Sequence, residues 1–311
     1  MSKDFLYADY SDLKEDFEEL LGAENVFLRE PMSKHTSFRT GGPAGCYLRP
    51  KAENLWELMQ YIDQKRLVYH TMGNGTNLLI SDNGIGLMIE IGQNMSDVWI
   101  SADKPYVYAG GGASLSRVAH AAEKAGLTGL EFASGIPGTV GGAISMNAGA
   151  YGSEMKDVLL YADVLRRDNT YCRVNADEMK FSYRRSLVSE MYSIVTGAAF
   201  ALKEGEPAQI KARTEELRQQ RAEKQPIEYP SAGSTFKRPE GHFAGKLIAD
   251  AGLKGLTVGG AQVSEKHAGF IINRGGATAK DIVSLMEIVQ EKVKEEFGVE
   301  LEQEVRAMGY F

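Results

Sequence analysis

The sequence predicts an α+β fold with more than one domain, and three observations carry that prediction. The chain has 311 residues, enough for two or three domains of ordinary size. Apolar stripes at helical spacing alternate with short β-like runs in mixed order, not as a regular βαβ array. The 34 glycines fall largely in clusters between those runs. Apolar residues make up 43% and charged residues 25%, the mix of a globular chain with ample core.

Leu13, Phe17, Leu20 and Leu21 predict a first helix over 11–21, which Gly22 can end. Strand "GCYLRP" precedes a helix carrying Leu55, Leu58, Met59 and Ile62. Strand "VYHTM" then runs into the loop "GNGTN", and strands "GLMIEI", "DVWISA" and "YVYAG" follow. A helix over about 114–125 shows Leu115, Val118, Ala119 and Ala122 on one face. A Gly-rich segment runs from 126 to 152, with strands near 158–167 and 192–202 after it. Residues 207–224 read as a polar connecting helix. Beyond it we expect a helix near 243–251, strand "HAGFIIN" and a helix over 279–296 with a stripe of Ile282, Leu285, Met286, Val289 and Val293. A last strand is expected near 299–307. Alternation would turn Val299, Leu301, Val305 and Ala307 one way and Glu300, Glu302, Glu304 and Arg306 the other. Composition shifts near 205, and less clearly near 95, suggest units 1–95, 96–205 and 206–311.

A net charge of −7 makes nucleic acid a poor partner. No apolar run approaches the ~20 residues of a membrane span. The acidic opening lacks the basic start and apolar core of a signal peptide, so we expect a cytoplasmic protein. Cys46 and Cys172 match no metal or redox spacing and read as reduced thiols. The five histidines are scattered, so no metal site is expected.

Clustered glycines let backbone pass close to a neighbour or turn several N–H groups toward one anion. "GNGTNL" lacks the third glycine of the dinucleotide fingerprint, and "AGKL" lacks the Ser or Thr of a P-loop. Taken singly, the clusters fit tight turns as well as a cofactor cradle. Two of them, roughly sixty residues apart and each leaving a strand, favour one diphosphate held by both.

"GNGTNLL", "GIPGTVGGAISMNAGAYG", "FSYRRS", "AGSTFKRP", "AGLKG" and "LEQEVR" occur here in that order. In this set the chain, from about residue 30 to 308, resembles the UDP-N-acetylenolpyruvoylglucosamine reductases, also called UDP-N-acetylmuramate dehydrogenases. The resemblance implies two FAD-binding subdomains of the vanillyl-alcohol-oxidase type and a C-terminal α+β substrate domain. It implies non-covalent FAD, held through Gly73, Asn74, Gly75, Thr76 and Asn77 and through Gly138, Thr139, Gly141, Gly142 and Ala143. It implies NADPH as reductant and UDP-N-acetylglucosamine enolpyruvate as substrate, in the synthesis of bacterial peptidoglycan. We expect a monomer.

The family's chemistry sends hydride from flavin N5 to C3 of the enol ether, while negative charge develops at C2. By motif, Arg184 and Glu304 stand beside that charge and Ser234 gives C2 its proton. A serine acting as general acid needs no base to activate it. It needs an electropositive setting, which Arg184, Lys237 and Arg238 could supply. Lys224, Lys237, Arg238 and His267 are implied as substrate contacts. At Arg238 many relatives carry Asn. Only 49 residues lie between Arg184 and Ser234, so the chain resembles the shorter form, without a covering tyrosine loop.

Each of these residues also has a plainer reading. Ser234 fits a turn hydroxyl, Arg184 or Arg185 a surface ion pair, and His267 a core-edge histidine. Glu304 shares its predicted face with Glu300 and Glu302, so periodicity assigns it no chemistry. His70 reads as structural. Two other functions remain open on the sequence: a flavin oxidase passing electrons to oxygen, and a non-catalytic UDP-sugar sensor.

Overall fold

The computed structural model describes residues 10–309 and 311. The first part of the acidic opening, residues 1–9, lies outside the described residues. The fold is α+β, and the helical stripes read from the sequence are its core contacts. In Ala52–Gln64 the buried residues are Leu55, Leu58, Met59 and Ile62, and in Leu115–Lys124 they are Leu115, Val118, Ala119 and Ala122. Each of the leucine, isoleucine, valine and methionine side chains stabilises the fold by about 1.5–3 kcal/mol when fully buried. Pro207–Lys224 buries only Ile210 and Leu217, as its polar sequence predicts.

Two larger sheets form the first two-thirds of the chain. One is ordered Val26–Pro31, Pro43–Leu48, Ile85–Glu90, Tyr69–Met72, antiparallel at the first pairing and parallel at the other two. The other is fully antiparallel: Tyr171–Asn175, Leu159–Leu165, Ile194–Ala201, Tyr106–Gly110, Val98–Ile100. A third, three-stranded sheet of Thr257–Val258, Ala261–Val263 and Ile271–Asn273 packs under the long helix Ala279–Phe297.

That helix is well terminated. Thr278 Oγ1 accepts from the Asp281 N–H at 3.0 Å, the Asp281 carboxylate accepts from the Thr278 N–H, and Gly298 ends the helix at φ 69°. The Asp82 carboxylate, from the first sheet's loops, also accepts from the N–H groups of Ala279 and Lys280 at 2.8 and 2.9 Å. The chain end then returns to the first half, where Arg306–Met308 pairs in parallel with Leu78–Ile80. Phe38 and Leu79 accordingly belong to the core of the C-terminal region.

The structure corrects three readings. The last strand covers Arg306–Met308, not 299–307, and Ala307 is exposed. The stretch before it makes scattered main-chain contacts in place of a ladder. Gln303 bridges to Phe236, and the Leu301 carbonyl accepts from Gln290. "HAGFIIN" is strand only over Ile271–Asn273, because His267–Phe270 closes a turn whose Phe270 N–H donates to the His267 carbonyl. The Gly-rich segment contains a short helix, Val140–Ser145, packed on the five-stranded sheet.

Candidate active site

Loops from all three regions meet around a cleft of about 480 Å³, within the range of small-ligand pockets. The loop Gly73–Asn77 leaves the strand Tyr69–Met72 and forms one wall. Gly138, Thr139 and Gly141–Ala143 border the same cleft beside it. Every residue expected to hold the cofactor therefore borders one space.

The two glycine clusters touch directly. Thr76 Oγ1 donates to the Pro137 carbonyl at 3.2 Å. A Cβ at Gly73 would lie 2.2 Å from Thr139 Oγ1, and one at Gly75 (φ +62°) would lie 2.1 Å from the His35 carbonyl oxygen. No larger residue fits at either place without displacing a neighbour. Among the described residues, the N–H groups of Gly73, Asn74 and Thr76 meet no protein acceptor. The second cluster differs. Val140, Gly141 and Ala143 give their N–H groups to the carbonyls of Ala113, Gly111 and Thr139, and Gly142 donates to Thr139 Oγ1. Its glycines bring backbone close, while the first loop offers free donors. A flat, polyanionic dinucleotide suits that combination of bare backbone and open donors. His70 does not line the cleft.

The proposed chemical groups converge on the far end. Arg184 occupies a two-residue turn closed by reciprocal hydrogen bonds between Ser182 and Arg185 at 3.1 Å. Its φ of +59° is a left-handed conformation that a non-glycine residue adopts at a cost of about 1–2 kcal/mol. The turn aims Arg184 inward, with its Nε 2.6 Å from Glu304 Oε1. Arg185 is left exposed. Arg184 borders the larger cleft, whereas Arg185 borders only the smaller cavity beside it. Burial pushes the Glu304 carboxyl above its ordinary value, against the pull of Arg184 and then Lys237.

Ser234 lines the same cleft and is half-buried. Its neighbour Thr235 fixes it there. The Thr235 carbonyl accepts from the Glu304 N–H at 2.8 Å, and its buried hydroxyl accepts from the Ile271 N–H at 3.0 Å. Serine and glutamate are thus brought together by main-chain pairing across seventy residues of sequence.

The other expected contacts are more dispersed. Lys237 lines a second cavity of about 290 Å³ that shares Met146, Arg184, Glu304 and Arg306 with the first, and it is ion-paired with Glu302. Arg238 lies over the Phe243 ring at 4.2 Å, and its N–H donates to the Tyr183 hydroxyl. Lys224, at the end of its helix, is exposed and lines neither cavity. His267 lines neither; its Nδ1 accepts from the Gly269 N–H at 3.1 Å and its ring meets Phe270 edge-on. Two other arginines border the cleft: Arg221, which "RAEKQP" offers beside Lys224 as a cation for the diphosphate, and Arg306, to which the sequence assigns no such role. Arg221 stands three residues before Lys224, and Arg306 two after Glu304, so both lay beside motifs already singled out.

Residues 225–308 match the family profile described as UDP-N-acetylenolpyruvoylglucosamine reductase, C-terminal domain. Residues 44–175 match the one described as FAD binding domain. A UDP-N-acetylenolpyruvoylglucosamine reductase of Caldanaerobacter subterraneus is 50% identical over 299 residues, 96% of this chain and 98% of the relative. One of Agathobacter rectalis is 51% identical over 293 residues, 91% and 93% of the two chains. The crystal structure of the reductase from Thermus caldophilus superposes with a TM-score of 0.75 at 33% identity, covering 91% of this chain and 98% of that one.

Proposed function

The chain belongs to the UDP-N-acetylenolpyruvoylglucosamine reductase family, and from that premise we propose how its own residues divide the work. It is an FAD- and NADPH-dependent reductase that forms UDP-N-acetylmuramate for peptidoglycan. When bound, FAD supplies the hydride delivered to C3 of the enolpyruvyl group and takes its electrons from NADPH. We read 1–95 and 96–205 as the subdomains that hold it non-covalently, through the Gly73–Asn77 and Gly138–Ala143 loops, and 206–311 as the substrate domain.

Hydride at C3 leaves negative charge at C2 and its carboxylate. Arg184, held rigidly in its strained turn, faces that charge. Ser234 delivers the proton to C2, so that one hydride and one proton add across the double bond. Glu304 lies against Arg184, which balances its charge, so the carboxylate adds little repulsion to the serine's transient alkoxide. Lys237 borders the adjoining cavity with its charge balanced by Glu302.

One observation carries this reading: Arg184, Ser234 and Glu304, distant in sequence, border a single cleft with both glycine loops. We read the enzyme as a working monomer. Among the described residues no helix is long and apolar enough to cross a membrane, which supports our placing the enzyme in the cytoplasm.

The test is colour. Purified protein is expected to be yellow, to bleach with NADPH, and to regain colour when the enolpyruvyl UDP-sugar is added without oxygen. Recovery only with oxygen, accompanied by peroxide, would make it an oxidase. Failure to take up FAD would remove the flavin chemistry altogether.

A further inference from the structure

We propose that Arg306 is a second carboxylate anchor of this site, gripping the anionic end of the enolpyruvyl group beside Arg184; the inference rests on the reductase reading above. The argument begins with charge. Arg184 is mostly buried and already bound to Glu304 at 2.6 Å, so the pair offers an incoming carboxylate little net positive charge. Lys237, the next cation, is taken by Glu302, and Glu190 adds a further carboxylate to the smaller cavity. A substrate carboxylate entering this end needs a cation with no partner of its own.

Arg306 meets that need. Among the described residues no carboxylate pairs with its guanidinium, and the Tyr192 phenol acts on its charge without a hydrogen bond. Its side chain opens to the cavities and so is exposed, yet protein atoms crowd the guanidinium enough to lower its pKa by desolvation. Binding an anion would offset that desolvation.

Position supports the same role. Arg306 borders both cavities, whereas Arg185 borders only the smaller and Arg221 only the larger. C2 must lie within reach of Ser234 in the larger cavity, and the carboxylate is bonded to C2. A cation at the junction of the two cavities therefore stands where that carboxylate falls. The arginine is rooted firmly: its N–H donates to the Asn77 carbonyl at 2.9 Å, and Asn77 Nδ2 donates to the Glu304 carbonyl at 3.0 Å.

The experiment uses oxidised holoenzyme. Arg306→Met and Arg306→Lys are titrated with UDP-N-acetylenolpyruvoylglucosamine and with UDP-N-acetylglucosamine, which lacks the carboxylate, following the flavin absorbance. Arg306→Met is expected to bind the enolpyruvyl ligand about 10- to 100-fold more weakly, the loss of one charge-assisted hydrogen-bond pair. Affinity for UDP-N-acetylglucosamine should not change, and Arg306→Lys should recover much of the loss. Equal weakening toward both ligands, or none, overturns the proposal. If Arg306→Met does not retain FAD, Arg306→Gln carries the same comparison; loss of flavin from both would assign Arg306 to the cofactor and overturn it as well. An unmutated enzyme that binds neither ligand would sink the reductase reading itself, a result distinct from an unmutated enzyme that binds and a variant that matches it.

Discussion

Arg184 and Glu304, separated by 120 residues, form an ion pair of 2.6 Å that joins the tight turn of the middle region to the returning end of the chain. Burial outweighs the attraction at Glu304, whose carboxyl is raised above its ordinary value. The folded state thus holds that proton more tightly than the unfolded chain. The contribution is complete below the usual carboxylate pKa, ~4.3, and is lost as pH rises through the folded value. Glutamine cannot ionise. Glu304→Gln should match the parent in stability near about pH 4 and exceed it at neutral pH, read from melting curves across that range, while turnover falls. A variant less stable at neutral pH would mean that the pair outweighs the burial.

Thr235→Val removes the hydroxyl that accepts from the Ile271 N–H while keeping the side chain's shape. It leaves a buried donor without a partner, which costs about 1–3 kcal/mol. Denaturant unfolding should move by that amount. Because Thr235 also seats Ser234 against Glu304, turnover should drop with it. Unchanged stability would show that the strand closes over the gap.

Gly75→Ala places a Cβ 2.1 Å from a backbone carbonyl and strains a left-handed φ. Backbone cannot step aside as a side chain can. The variant should fold by circular dichroism but purify with much less FAD, measured from the ratio of flavin to protein absorbance. Full flavin occupancy would show that the loop need not hold this shape.

Asp82→Ala should lower stability by about 0.5–2 kcal/mol, the usual worth of a helix N-cap, since Asp82 accepts from Ala279 and Lys280. FAD content should not change. A loss of FAD instead would make Asp82 part of the cofactor loop's support.

Much of this was legible in the sequence. Helical stripes such as Ile282, Leu285, Met286, Val289 and Val293 declare their buried face, because a long amphipathic helix repeats its signal over several turns. Short elements do not repeat it. Leu78–Ile80 has three residues and Val140–Ser145 is helical within a glycine cluster, so neither carries a period to read. The terminal stretch misled for a related reason. Its alternation is real, but Gln303 and Glu304 find partners one at a time, on Phe236 and Thr235, and no ladder forms. Ser234, Arg184 and Glu304, which the motifs single out, border the cleft; of the two cations in "RAEKQP" it is Arg221 that does, and nothing in the sequence assigns Arg306 a role, because its placement depends on how the returning strand is seated. Nor did sequence signal that Lys224 and His267 lie outside both cavities.

The role of Ser234 as proton donor is tested most directly by the two half-reactions of Ser234→Ala, followed at the flavin absorbance in a stopped-flow instrument. Reduction by NADPH should proceed as in the parent, and reoxidation by the enolpyruvyl UDP-sugar should slow by about 10²–10⁴-fold, the usual worth of a positioned general acid. Reoxidation at the parent's rate would contradict the account and leave Ser234 as a turn hydroxyl.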